Sequence, residues 1–257
     1  MRRRSFLTLP LGLPLVQGQE NNRTSPAFIE LRYFHLRNGK QVERTTDYLR
    51  RGWLPASQRA GVGPIGFFSA LVAPESPFIL TLTTFATLSA ITELGRKLAA
   101  DKEFQAVLEE YNPNGDVSYI RMENTMLMAF PSMPAVAVPP TEPDRPPRIF
   151  ELRTYESPTE FALSRKIKMF GDGEIAAFRR CGMMPVFFGS ALFGRDMPSL
   201  TYMLAFDDWA GREKGWAAFA RDPGWLKLRA TPGLSDAEIV SNISNMLLRP
   251  LPFSPIR

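Results

Sequence analysis

Two stretches of this sequence repeat each other at one constant spacing. The segment Phe28-Ile29-Glu30-Leu31-Arg32-Tyr33 returns as Ile149-Phe150-Glu151-Leu152-Arg153-Thr154-Tyr155, so that Glu, Leu and Arg recur 121 positions later. The same spacing relates Gly61, Pro64, Phe67, Ser69, Pro77, Phe85, Asp101, Asn124 and Pro131 to Gly182, Pro185, Phe188, Ser190, Pro198, Phe206, Asp222, Asn245 and Pro252. A period this long, present twice, indicates a duplicated domain, because solenoid repeats are roughly 20–50 residues long.

The repeat divides the chain into four predicted segments. Residues 1–20 form an export signal, residues 27–130 the first domain, residues 131–147 a linker, and residues 148–256 the second domain. Seven prolines in the linker favour an extended, semi-rigid spacer. Halves of about one hundred residues agree with the usual size of a domain, roughly 100–150 residues.

Each half follows the order β-α-β-β-α-β. The periodicity predicts an amphipathic helical region over 40–60, strands near 64–72 and 78–85, a second helix, and a last strand near 117–130. This ferredoxin-like plan leaves one sheet face bare, and that face must be buried. We therefore predict an α+β fold in which two tandem ferredoxin-like halves pack sheet to sheet as an intrachain α/β barrel of the dimeric type. Because such a barrel can close within one chain, a monomer is possible.

The first residues have the pattern of an export signal. Three arginines at positions 2–4 precede the apolar run 9–16 and the small residue Gly18. The run is too short to span a bilayer, so we expect no membrane span in the mature chain. The segment Arg3-Arg4-Ser5-Phe6-Leu7 resembles a twin-arginine signal. We therefore expect a periplasmic or extracellular protein.

Composition excludes several classes of site. A single cysteine, Cys181, rules out an intrachain disulfide, and a single histidine, His35, rules out a multi-histidine metal cluster. The net charge is +5, and three of the positive charges belong to the arginines of the predicted signal. No basic stripe with interleaved aromatic residues is present, so we expect no nucleic-acid partner. No cofactor and no metal are expected.

The second half resembles the NIPSNAP family. The resemblance covers residues 148–256 and rests on Phe150-Glu151-Leu152-Arg153-Thr154-Tyr155, Gly182-Met183-Met184-Pro185, Leu200-Thr201-Tyr202, Arg212-Glu213 before Trp216, Asp222-Pro223-Gly224-Trp225 and Asn245-Met246-Leu247-Leu248-Arg249-Pro250. The first half resembles the family only through the 121-residue register, so the second half is the stronger candidate for a function. The resemblance implies a dimeric α/β barrel fold and no agreed reaction; eukaryotic members look like mitochondrial interaction proteins, and distant barrel relatives include small oxygenases, isomerases and haem enzymes.

Charged residues alternate along the first strand of each half. Glu151 and Arg153 share one strand face, as do Glu30 and Arg32. Because the helices need the apolar side, we expect these charges to point into the barrel. They form either a buried salt bridge in each half or a working site, in which Glu151 acts as acid or base and Arg153 binds an anion.

The ligand pocket of that second alternative would be lined by Tyr155, Tyr202 and Phe188, with Glu30 and Arg32 contributed by the first half. His35 falls on the strand face that we assign to the helices, and Trp209, Trp216 and Trp225 are expected to be core anchors.

Two classes of function follow. The first is an exported NIPSNAP-type barrel that binds a small ligand or a protein partner. The second is a cofactor-independent enzyme, of the oxygenase or isomerase type, that acts on a small molecule in the barrel interior. An open polar cavity in the barrel favours the enzyme, and a filled interior favours a binding or structural role.

We predict that the tagged full chain is exported, and that replacing both Arg3 and Arg4 with lysine abolishes export, because twin-arginine recognition needs the arginine pair. Fractionation of expressing cells measures this. Full-length protein confined to the cytoplasm in the parent would contradict the prediction.

Overall fold

The computed structural model describes residues 27–112, 117–142 and 144–257, and the predicted export signal lies outside them. The strands are β1 (Phe28–His35), β2 (Ile65–Val72), β3 (Phe78–Phe85), β4 (Arg121–Ala129), β5 (Ile149–Glu156), β6 (Met184–Phe193), β7 (Ser199–Phe206) and β8 (Asn242–Pro250). The helices are α1 (Lys40–Tyr48), α2 (Leu54–Arg59), α3 (Ser89–Ala100), α4 (Lys102–Tyr111), α5 (Glu160–Met169), α6 (Ile175–Arg180), α7 (Trp209–Phe219), α8 (Pro223–Arg229) and α9 (Asp236–Ile239). π-Helical turns at Leu49–Trp53 and Phe170–Glu174 join α1 to α2 and α5 to α6.

The eight strands close into one antiparallel barrel in the order β1-β3-β2-β8-β5-β7-β6-β4. Each half contributes four neighbouring strands, and the halves meet where β2 pairs with β8 and where β4 pairs with β6. The two junctions have matching registers, since Phe68 lies opposite Pro250 in one and Gly189 lies opposite Ala129 in the other. The predicted α+β fold of two tandem ferredoxin-like halves in an intrachain barrel is confirmed.

The helices form an outer layer over the barrel, and their local signals repeat with the sequence. The side chain of Asp101 accepts a hydrogen bond from the backbone of Phe104 and so caps α4, as Asp222 caps α8 from the backbone of Trp225. None of the helices within the described residues has the length and hydrophobicity that a membrane span requires.

One end of the barrel is covered by the linker and the C-terminal tail. In the linker, Ala137 donates a backbone hydrogen bond to Val186, and Val136 packs against the apolar residues of the barrel interior. In the tail, Leu251 donates to the backbone of Phe67, and Ile256 joins the same interior cluster with no exposed surface. The two segments are equivalent in the repeat, and together they leave the opposite end as the mouth of the barrel.

The three tryptophans of the second half have different environments. Trp225 is buried and Trp216 is partly buried against the same core, as predicted. Trp209 is 52% exposed, so the prediction that it anchors the core is wrong. It is the first residue of α7, directly after the capping residue Asp208, where its side chain projects into solvent.

We predict that the isolated segment 148–257 dimerises or aggregates, because β6 and β8 lose their partners β4 and β2 and present unpaired backbone groups. Sedimentation of this segment beside the full chain measures the assembly. A soluble, monomeric second half would contradict the arrangement.

Candidate functional site

The charged side chains of β1 and β5 point to the helices, and the prediction that they point into the barrel is wrong. Glu151 bonds to side chains of α7, and the guanidinium of Arg32 lies 4.9 Å from the ring centre of Trp53. The interior receives apolar residues instead, among them Phe150 and Leu152. A buried carboxylate needs hydrogen-bond donors, and the helix layer supplies them where the largely apolar interior does not.

Glu151 accepts four hydrogen bonds. Arg212 donates from Nε to Oε2 at 2.7 Å and from Nη2 to Oε1 at 3.0 Å. The indole Nε1 of Trp216 donates to Oε2 at 2.8 Å, and Nη1 of Arg153 donates to Oε1 at 3.0 Å. The predicted pairing of Glu151 with Arg153 is therefore present, and α7 adds two partners to it.

The environment of Glu151 keeps it ionised. Burial by itself would raise its pKa, but hydrogen bonds from Arg212 and Trp216 and the charges of Arg212 and Arg153 outweigh burial, so the pKa lies below its ordinary value. A carboxylate whose two oxygens are both occupied is poorly suited to exchange protons near neutral pH. The geometry favours the structural alternative for this residue.

The first half has a simpler version of the same pair. Glu30 accepts from Arg32 at 2.7 Å and from Asn124 at 2.6 Å, and its Oε2 is buried without a hydrogen-bond partner. Ile91 and Gly95 stand where the second half has Arg212 and Trp216. The first half therefore lacks the clamp of the second half, which consists of the α7 side chains Arg212 and Trp216 bonded to Glu151.

The aromatic residues predicted beside Glu151 do cluster there. The hydroxyl groups of Tyr155 and Tyr202 lie 3.0 Å apart, and Nη2 of Arg153 donates to Tyr155 at 3.4 Å. Phe188 stacks on Tyr202 with 5.3 Å between ring centres. Rings such as Phe170 and Phe178 fill the space between them and the helices. The structure thus unites Glu151, Arg153, Tyr155, Tyr202 and Phe188 in a packed core, while Glu30 and Arg32 lie in the other half.

A buried ion pair in the second half was missed. Nζ of Lys166 lies 3.3 Å from Oε2 of Glu174 and 3.4 Å from Oδ1 of Asp236, and both Lys166 and Glu174 are almost fully buried. Burial raises the pKa of Glu174 to about 7, although the charge of Lys166 opposes the shift. The equivalent residues of the first half are Thr45 and Trp53. A comparison of the two copies for charges present in only one could have found the pair.

The mouth of the barrel contains a pocket built by both halves, with a cavity volume of about 260 Å³. The first half contributes Tyr33, His35, Glu75, Phe78 and Glu123, and the second half contributes Thr154, Arg195, Ser199, Thr201 and Ser244. The prediction that His35 faces the helices is wrong for the same reason as above, because the face of β1 that it shares with Leu31 and Tyr33 is the interior face.

Most charges of the mouth are paired with one another, the exception among the described lining residues being the exposed Asp196. Nδ1 of His35 lies 3.3 Å from Glu75, and its Nε2 lies 3.4 Å from Glu123. Glu123 accepts from Arg121 and from Arg195, each at 2.7 Å, and Arg121 also bonds to Glu75. Burial would raise the pKa of Glu123, but the hydrogen bonds from the two arginines lower it to about 2.

Within the described ranges, no group of three or more His, Cys, Asp or Glu side chains is arranged to hold a metal ion. The phenol of Tyr33 in the mouth stays protonated, since burial and the charge of Glu123 raise its pKa above the ordinary value.

Two ferredoxin-like halves close one eight-stranded barrel, so this protein is a dimeric-type α/β barrel within a single chain. The chain belongs to the NIPSNAP family, because the NIPSNAP family model matches it twice, over residues 29–134 and 150–255. No curated protein matches it.

Two solved structures resemble most of this chain in fold, and a third matches less than half of it. A candidate monooxygenase from Fusobacterium nucleatum is 9% identical over 88% of this chain and 93% of that chain, with a TM-score of 0.55. A candidate monooxygenase from Lactobacillus acidophilus is 8% identical over 87% of this chain and 93% of that one, with a TM-score of 0.54. A NIPSNAP family protein of unknown function from Agrobacterium tumefaciens is 21% identical over 43% of this chain and 94% of its own, with a TM-score of 0.38. At 8–9% identity the likeness to the first two structures is one of fold alone.

We predict that Glu151→Gln lowers the free energy of unfolding by about 3 kcal/mol near neutral pH, because it leaves Arg153 and Arg212 without their counter-charge. The matched variant Glu30→Gln should lose less, since only Arg32 pairs with that carboxylate. Urea denaturation of both variants and the parent measures the losses.

The loss should also depend on pH. A carboxyl group whose pKa is lowered by folding stabilises the fold above its unfolded pKa, about 4.3 for Glu, and that stabilisation is lost as the pH falls through the lowered folded value. The gap between the parent and Glu151→Gln should therefore narrow below about pH 4. Equal losses in the two variants, or a gap independent of pH, would contradict the clamp.

Proposed function

We propose that this protein is a ligand-binding barrel that holds a small molecule in the pocket at its mouth. One observation carries the proposal: the mouth is a cavity of about 260 Å³ in a barrel whose other end is covered by the linker and the tail. Concave sites with an apolar floor and a few convergent polar groups are the usual ligand sites of proteins. Leu31 and Met246 supply apolar surface here, and hydroxyl groups converge on it from the second half.

The environment of Glu151 supports the mouth pocket as the ligand site over the pocket that the sequence predicted beside Glu151 and Arg153. Its oxygens are occupied by Arg153, Arg212 and Trp216, and aromatic rings fill the neighbouring space. A ligand there would have to displace packed side chains, whereas the mouth offers room without rearrangement.

A second candidate is a cofactor-independent enzyme that uses the same pocket, and His35 is the observation that favours it. His35 lies in the wall of the cavity, where its Nε2 makes no hydrogen bond and lies 3.4 Å from Oε1 of Glu123, and histidine is the side chain best suited to proton transfer near neutral pH. The names of the structural neighbours include monooxygenases, but at 8–9% identity they argue only for the fold. On this candidate, His35→Asn retains ligand binding and loses turnover.

Export through the twin-arginine route belongs to the same proposal. Arg3-Arg4-Ser5-Phe6-Leu7 ahead of a short apolar run supports it. The protein would then bind its ligand outside the cytoplasm.

We predict that Ser244→Phe abolishes small-molecule binding by the full chain, because the added ring occupies the cavity that Ser244 lines. A thermal-shift screen of a fragment library, followed by calorimetry on the hits, measures binding. Ser164→Phe, the same substitution at an exposed position of α5, should bind like the parent. Hits that bind equally well to both variants would place the site elsewhere and sink the proposal.

A further inference from the structure

We propose that the ligand of the mouth pocket is an uncharged ring that carries hydroxyl groups along one edge and presents one apolar face, the chemistry shared by phenols and sugars. This inference rests on the proposed function of the pocket and adds the class of ligand. Three features of the pocket support it: the pairing of most of its charges, the composition of its two walls, and an imidazole nitrogen that makes no hydrogen bond.

The paired charges argue against a charged ligand. Arg195 is engaged by Glu123, and Arg121 is engaged by both Glu123 and Glu75. An anion that took either guanidinium would leave a carboxylate behind, and a cation that took either carboxylate would leave a guanidinium behind. Because these pairs are partly exposed, breaking one of them opposes the binding of a charged ligand only modestly. A neutral ligand leaves the pairs intact.

The two walls differ although the repeat makes them equivalent in position. Tyr33 corresponds to Thr154, Phe78 to Ser199, and Glu123 to Ser244. The duplication has thus given the first half the rings and the second half most of the hydroxyl groups, with Thr125 and its equivalent Met246 as the reverse case. A pocket with one apolar wall and one hydroxyl wall fits a ligand that is apolar on one face and polar along one edge.

The hydroxyl wall can both donate and accept hydrogen bonds. The hydroxyl groups of Thr154 and Thr201 lie 2.9 Å apart and bond to each other, which leaves each with further capacity. Ser199 and Ser244 also line the cavity. Groups that can reverse their donor and acceptor roles match the hydroxyl groups of a ligand, whereas none of them supplies the full charge that would bind a carboxylate or an ammonium.

The aromatic wall offers flat apolar surface next to one unsatisfied polar atom. The rings of Tyr33 and Phe78 meet edge to face with 5.4 Å between centres, and His35 stacks 6.1 Å from Tyr33. His35 is 8% exposed, and its buried Nε2 makes no hydrogen bond within the described residues, although Oε1 of Glu123 lies 3.4 Å away. A buried polar atom without a partner is costly, so a ligand hydroxyl that reached Nε2 would remove that cost.

Calorimetry with four probes on the full chain tests the class of ligand. Catechol and glucose represent the two sources of hydroxylated rings, and benzoate and benzylamine represent an anion and a cation of similar size. We expect catechol or glucose to bind about two- to fivefold more tightly than both charged probes, and the tighter of the two identifies the source. Thr201→Val should weaken that probe by about three- to tenfold, the effect of one neutral hydrogen bond, while Ser164→Ala should not. A thermal melt checks that each variant folds.

The Ser244→Phe variant separates two kinds of failure. If a charged probe binds more tightly than both neutral rings and Ser244→Phe abolishes that binding, the class of ligand is wrong and the pocket remains the binding site. If no probe binds the parent, or if the probes bind Ser244→Phe equally well, both the ligand class and the proposed function fall.

Discussion

Backbone pairing at the two junctions between the halves is the interaction on which the rest of this structure depends. Without it, β2, β4, β6 and β8 would each end a sheet in a row of unpaired N–H and C=O groups. The chain satisfies them by pairing β2 with β8 and β4 with β6 in matching registers. Because both halves lie in one chain, closure needs no second subunit. The linker and tail can then cover one end and leave a single mouth.

Closure within one chain also frees equivalent positions to diverge. In a barrel made from two identical subunits, every wall of the mouth would occur twice. Here the rings come from the first half and most of the hydroxyl groups from the second, so the mouth is asymmetric. The outer layer has diverged as well, since only the second half has the Arg212 and Trp216 clamp on Glu151 and the buried pair of Lys166 with Glu174. The second half has buried charged side chains between its helices and the sheet, and the two halves together line the mouth pocket.

The sequence predicted the fold well and the direction of its side chains poorly. Identical residues recurring 121 positions later predicted the duplication, and the order of strands and helices predicted the barrel. Alternation along β1 and β5 correctly separated Glu151 and Arg153 from Leu152, but it could not say which face is inside, because both faces are buried. The wrong choice followed from treating the helix side as apolar, whereas α7 brings the donors that a buried carboxylate needs. The same error led to the prediction that His35 faces the helices. His35 instead lines the mouth pocket, which strands distant in sequence form together.

The single histidine of this chain makes the mouth directly observable. Binding of a small molecule in the mouth pocket is measured by the nuclear magnetic resonance signal of the His35 imidazole, during titration with a ligand that binds by calorimetry. Binding in the mouth should shift that signal saturably, with the calorimetric affinity, and should cause no comparable shift at Trp216 of α7. A ligand that binds while the His35 signal stays fixed and the Trp216 indole signal moves would contradict the account, because it would place the site between the helices and the sheet.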